Sequence, residues 1–169
     1  RIKKTKFIGE NIMHIFDEVR HFRDAIDIAK ENDEFRIIYP FLRFPQDCCD
    51  YTCDLLGQYL LERGIITHQV NCVSKYDESW HHVWLETSDE ILIDITGDQF
   101  IGRISQLNEM PKAVYVGEKG QIHKIFCMNR KIEPNTNFID KNKFTTFNGE
   151  PTPRQKTLIQ LHKILSKYL

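Results

Sequence analysis

The chain has 169 residues, enough for one domain with a sizeable buried core. Hydrophobic residues make up 41% and charged residues 28%, and the formal net charge is -1. That balance fits a globular protein, and it excludes both a disordered tail and a global field that recruits nucleic acid or an anionic membrane.

No apolar run approaches the roughly 20 residues needed to span a bilayer, and the opening residues do not read as a secretory leader. The basic group Arg1, Lys3, Lys4 and Lys6 reads as a solvated terminus. Five cysteines cannot all pair within one chain, so free thiols are expected. The setting is then cytoplasmic, or that of a secreted effector acting in a reducing cytosol.

In chain order, Glu10 to Lys30 carries Ile12, Ile15, Phe16, Val19, Phe22, Ile26 and Ala29 at helical spacing, which predicts an amphipathic helix. His14 and His21 on it read as surface residues. Phe35 to Phe44, interrupted by Pro40 and followed by Pro45, reads as a connector. A second, central helix is expected from Cys48 to about Arg63, with Asp47 as N-cap, Asp50 in the first turn and Gly64 after its end. Cys49, Cys53 and Gly57 form a small-residue edge that would let another backbone approach.

The period then becomes strand-like over His68–Ser74, His81–Thr87, Glu90–Thr96, Ala113–Val116 and Gln121–Met128, predicting an antiparallel sheet. Asn129 to Pro153 reads as a surface excursion, and Arg154–Leu169 as a closing helix. The expected class is α+β in a single domain, 1–169, with a catalytic core at about 44–128 and flanking helices at 10–32 and 154–169.

Residues 79–100, SWHHVWLETSDEILIDITGDQF, carry the most information. If Val83 and Leu85 share a face with Ile91, Ile93 and Ile95, odd residues must pair with odd ones. The shortest such hairpin turns at Thr87-Ser88-Asp89 and sets His82 opposite Asp94, while placing Glu86 unfavourably against Glu90. Other registers of the same parity move Asp94 only to a diagonal position. An imidazole and a carboxylate therefore share one face.

The stretch FPQDCCDYTCD supplies thiols at the start of the central helix, where unpaired N–H groups and the helix dipole favour a thiolate. A nearby His can take the proton, and a carboxylate can hold the imidazole. These are the roles of a Cys-His-Asp triad.

The motifs F-P-x-x-C-C-x-x-x-C-x-L-L-x-x-Y-L-x-x-x-G, H-x-W-L-E and I-D-I-T-x-D-Q-F, within residues 44–100, resemble the papain-like and transglutaminase-like cysteine hydrolase superfamily, particularly its small bacterial members. The resemblance implies a cysteine-bearing helix packed on an antiparallel sheet. It implies Cys49 as nucleophile, with Cys48 the competitor, His82 as base rather than His81, and Asp94 as orienter. Asp47 and Cys53 stand where members often have a small residue and a serine.

For the oxyanion, the backbone N–H of Cys49 and the Gln46 side chain are candidates, and Gln99 is either a donor or a turn cap. Trp84 is a cleft wall or core residue, and Trp80 lies on the entering loop. Cys53, Cys72 and Cys127 read as small apolar residues.

The expected activity is a peptidase or amidase acting through a thioester, on a protein or peptide substrate, with no cofactor, nucleic acid or membrane. Protein glutamine deamidation or transglutaminase-type acyl transfer is the alternative. Two further readings are a zinc site of Cys48, Cys49, Cys53, His81 and His82, whose spacing lacks the C-x2-C knuckle, and an inactive interaction module. A Cys49–Cys53 disulfide suits a regular helix poorly.

Overall fold

The structure, a computed structural model, describes residues 2–144 and 146–169, with the side chains of residues 2–8 left aside. The basic group at Arg1, Lys3, Lys4 and Lys6 therefore lies outside the described residues. Helix α1 (Ile2–Glu31) starts well before the expected Glu10 and buries Ile15, Val19, Phe22, Ile26 and Ala29 on one face, with His14 and His21 exposed. The connector after it contains only a 3-10 turn at Tyr39–Phe41 and drops Phe35, Ile38, Phe41 and Phe44 into the core.

Helix α2 (Cys49–Glu62) is buried continuously from Thr52 to Leu60, its polar Asp54 and Gln58 included. It ends in a Schellman motif: Ile65 N–H donates to Leu60 O and Gly64 N–H to Leu61 O, with Gly64 at φ +76. At its start, the expected N-cap is corrected. Cys48 occupies that position, Asp47 sits one residue outside at φ +56, and the Asp47 carboxylate is taken by Arg43 at 3.0 Å. The small-residue edge admits an Asn135 side chain against Gly57, where any Cβ would collide with it.

Five strands follow: β1 (Thr67–Ser74), β2 (His81–Thr87), β3 (Leu92–Asp94), β4 (Tyr115–Gly117) and β5 (Phe126–Pro134). They form one sheet in the order β4-β3-β2-β1-β5, and every pair is antiparallel. Two expectations change here. The segment expected as a strand from Gln121 to Met128 opens with a short helix, α3 (Gln121–Ile125). Strand β5 then runs into the presumed excursion and pairs with β1.

Helix α4 (Pro153–Leu165) begins in a capping box, with Gln155 N–H on Thr152 Oγ1 and Thr152 N–H on Gln155 Oε1. The two faces of the sheet carry separate cores. Val83, Leu85, Ile93 and Ile95 pack with α1, α2 and α4, while Val70, Cys72, Trp84 and Leu92 pack with Phe100, Ile122 and Phe126. The architecture is α+β with an antiparallel sheet.

Candidate active site

Odd residues do pair with odd: Leu85 stands opposite Ile93, and Glu86 opposite Leu92. The turn lies one residue later than the shortest one, over Ser88-Asp89-Glu90, with Thr87 N–H donating to Ile91 O at 3.0 Å. Glu90 takes the left-handed position at φ +62, as the third residue of such a loop requires. This register removes the Glu86–Glu90 opposition and sets Asp94 diagonal to His82 instead of opposite.

The diagonal placement is still a contact. His82 Nε2 lies 2.7 Å from Asp94 Oδ2, and both side chains are almost fully buried. The other carboxylate oxygen accepts from Thr96 N–H at 2.9 Å and from the Thr96 hydroxyl at 3.3 Å. Rings of Phe100, Phe126 and Trp84 enclose the imidazole, Phe100 presenting edge to face at 5.0 Å.

His82 thus keeps Asp94 on Nε2. Its Nδ1 is buried and has no hydrogen-bond partner among the described residues.

The three clustered cysteines are not equivalent. Cys48 is buried in the core, where desolvation pushes its thiol up to about 12 despite a Thr52 hydroxyl on the sulfur. Cys53 is also buried, and burial raises its thiol well above the ordinary value. Cys49, the first residue of α2, is half-buried. The first helical hydrogen bond runs from Thr52 N–H to Cys48 O, so the N–H groups of Cys49, Asp50 and Tyr51 head the helix without helical acceptors.

Burial lowers the proton affinity of His82, but the charge and hydrogen bond of Asp94, joined by Cys49 through a thiol contact and its charge, outweigh it. The imidazole is raised to about 10. Burial pushes the Asp94 carboxyl up, yet His82 and His123 together hold it well below the usual carboxylate range.

His123 is the site residue absent from the sequence expectations. Its Nε2 lies 3.0 Å from the same Asp94 Oδ2, and its Nδ1 accepts from Gly120 N–H at 3.3 Å. Accepting at Nδ1 puts the proton on Nε2, so His123 donates to Asp94. His82, Asp94 and His123 are the metal-ligand-type group that the fold assembles among the described residues, rather than Cys48, Cys49, Cys53 and His81. With a proton on His123 Nε2 and both ring nitrogens aimed at one carboxylate oxygen, the trio reads as hydrogen-bonded and does not fit a ligand set with free lone pairs.

Gln46 is exposed, three residues before Cys49, and its side chain makes no hydrogen bond among the described residues. Gln99 is buried and donates from Nε2 to Thr96 O at 2.9 Å, capping the turn. His81 is exposed. Trp84 belongs to the core and donates from Nε1 to Glu86 at 2.9 Å, while Trp80 is half-buried beside Phe100. All five thiols are free; Cys53 and Cys72 are buried, whereas Cys127, expected with them as a small buried apolar residue, is exposed on β5. Neither a scan against protein-family models nor searches among curated proteins and solved structures gives a match to this chain.

Proposed function

We propose that this chain is a cysteine-nucleophile hydrolase of amide bonds, a peptidase or amidase with a papain-like or transglutaminase-like core. One observation carries the reading: a buried carboxylate–imidazole pair keeps one ring nitrogen without a partner, and a half-buried thiol, Cys49, heads the helix that packs on the same sheet. With the imidazole raised to about 10, His82 holds its proton at neutral pH. That favours a resting imidazolium, so the His82 proton is in place before substrate arrives.

The Cys49 sulfur attacks the carbonyl carbon, and its oxygen takes the negative charge near the Cys49 backbone N–H. The C–N bond breaks as His82 passes its proton to the leaving amine, giving a thioester. Water then gives a proton to His82 and its hydroxide to the carbonyl. The C–S bond breaks, the carboxylic acid leaves, and thiolate and imidazolium are restored. Asp94 holds the ring throughout and stabilises its positive charge before acylation and again during thioester hydrolysis, and Gln46 is the proposed side-chain donor to the oxyanion. If an amine replaces water the product is a new amide, and a Gln side chain as substrate makes the reaction a deamidation.

Iodoacetamide labelling near neutral pH, read by peptide mass, tests the nucleophile. Cys49 is expected to react at least about tenfold faster than the other four thiols, and His82→Ala to remove that lead. Slow and equal labelling of all five sinks the proposal. Intact-mass analysis of candidate protein substrates then separates cleavage, a gain of about one dalton, and amine addition.

A further inference from the structure

Arginines in this fold are spent on carboxylates. Nine occur in the sequence, and of the eight with described side chains, seven lie within 4.0 Å of an Asp or Glu oxygen. Arg103 is the exception among the described residues. Its guanidinium has no ion pair and no side-chain hydrogen bond, and it lies 5.0 Å over the ring of Trp80.

This cation sits at the site. A depression of about 260 Å³ is bordered by Arg103, Trp80, Phe100 and Gln99 together with His81, next to His82 in the chain, and Asp47, two residues before Cys49. A second, of about 230 Å³, shares Trp80 and Arg103 and continues along the surface. Trp80 stacks on Phe100 with centroids 6.3 Å apart, and Phe100 meets the His82 ring at 5.0 Å. Those three steps bound the distance from guanidinium to imidazole at about 16 Å, the reach of about five extended residues.

We propose that Arg103 is a substrate-docking residue, and that the preferred substrate carries a carboxylate within about five residues of the amide to be cleaved. This rests on the hydrolase reading above. A guanidinium lying on an aromatic face keeps its in-plane N–H groups free, in the fork that matches a planar carboxylate. Neither acid nearby forms an ion pair with it: Asp47 is engaged by Arg43 at 3.0 Å, and Asp77, which keeps its charge, accepts from Ser79 at 2.6 Å. They do argue against a polyanion such as nucleic acid, whose successive phosphates would meet both.

Peptidyl acyloxymethyl ketones carrying one Glu, placed two, three or four residues from the reactive carbon, and their Gln twins, provide the test. The rate of Cys49 modification is followed by mass. At low salt the best Glu probe is expected to react about five- to tenfold faster than its twin. Arg103→Gln should bring that ratio to about one, Arg103→Lys should keep part of it, and Arg103→Glu should invert it. A ratio near one in the unmodified protein, or a preference that survives Arg103→Gln, overturns the proposal.

A second measurement does not depend on turnover. Fluorescence polarisation of the same Glu and Gln peptides, without the ketone, on Cys49→Ala should show the same preference and its loss on adding Arg103→Gln. Equal binding overturns the docking role. A clear preference in a protein whose Cys49 has no heightened reactivity would uphold docking and count against the hydrolase instead.

Discussion

Two adjacent cysteines show how sharply a single position decides chemistry. Cys48, the non-helical N-cap, enters the core, while Cys49, the first helical residue, stays half-buried. In the proposed reaction His82 must hold its proton to serve the leaving group. Because its folded pKa is raised to about 10, activity should persist from neutral pH upward and be lost as pH rises through that value. The same shift stabilises the fold fully below the ordinary imidazole value of 6.5, a contribution lost between there and about 10.

Asp94→Asn should move the alkaline limit of Cys49 acylation down toward 6.5. His123 is a positioning residue that acts through Asp94. His123→Leu should shift the limit in the same direction by a smaller amount, and His123→Gln, which keeps an N–H donor, should restore most of it. A pH–rate profile unchanged in His123→Leu would reduce that histidine to packing.

At the scale of the element, the strand pair was legible because parity is all that side-chain alternation fixes. Val83, Leu85, Ile93 and Ile95 required odd-to-odd pairing, and the sheet obeys it. The register within that parity was not legible, since it depends on whether Glu90 will accept a left-handed backbone. Helix α3, with five residues, is too short to display a period, and so His123 stayed hidden. Strand β5 is exposed from Cys127 to Pro134 and offers no alternation to read.

Two of the left-handed positions give opposite predictions. Glu90→Gly should stabilise the protein by about 0.5 kcal/mol, the strain relieved exceeding the added chain entropy. Gly64→Ala should cost about 1 kcal/mol although nothing crowds the site, because only φ opposes it. Denaturant midpoints at constant slope would measure both, and equal signs would refute the backbone account.

Across the whole molecule, the class followed from the change of period along the chain, and the central place of α2 from its apolar stripe and small-residue edge. Beyond the shared apolar core, polar long-range contacts hold the outer helices, and these are invisible to periodicity. Arg154 of α4 reaches Asp50 at 3.0 Å and Asp54 at 2.7 Å. Asp54 is buried and also accepts from Gln69 and Thr136. Arg23 of α1 similarly binds Asp98 at 2.7 Å and the carbonyls of Ile95 and Ala113, just past β3 and before β4.

Arg154→Ala should therefore destabilise by about 1 kcal/mol, a value held down because the arginine is 41% exposed and Asp54 keeps two donors. Adding Asp54→Asn should recover part of the loss. A purely additive double variant would show that the pair contributes nothing of its own.

The carboxylate shared by two imidazoles also bears on how the protein is made. Cys49, His82 and Asp94 have all been synthesised by residue 94, but the second imidazole on Asp94 arrives only with His123, and β1 lacks its outer neighbour until Pro134. A nascent chain shorter than that holds all three residues of the proposed triad and still has the Asp94 charge one hydrogen bond short. Under the proposed function, full readiness for chemistry would then be set late in translation.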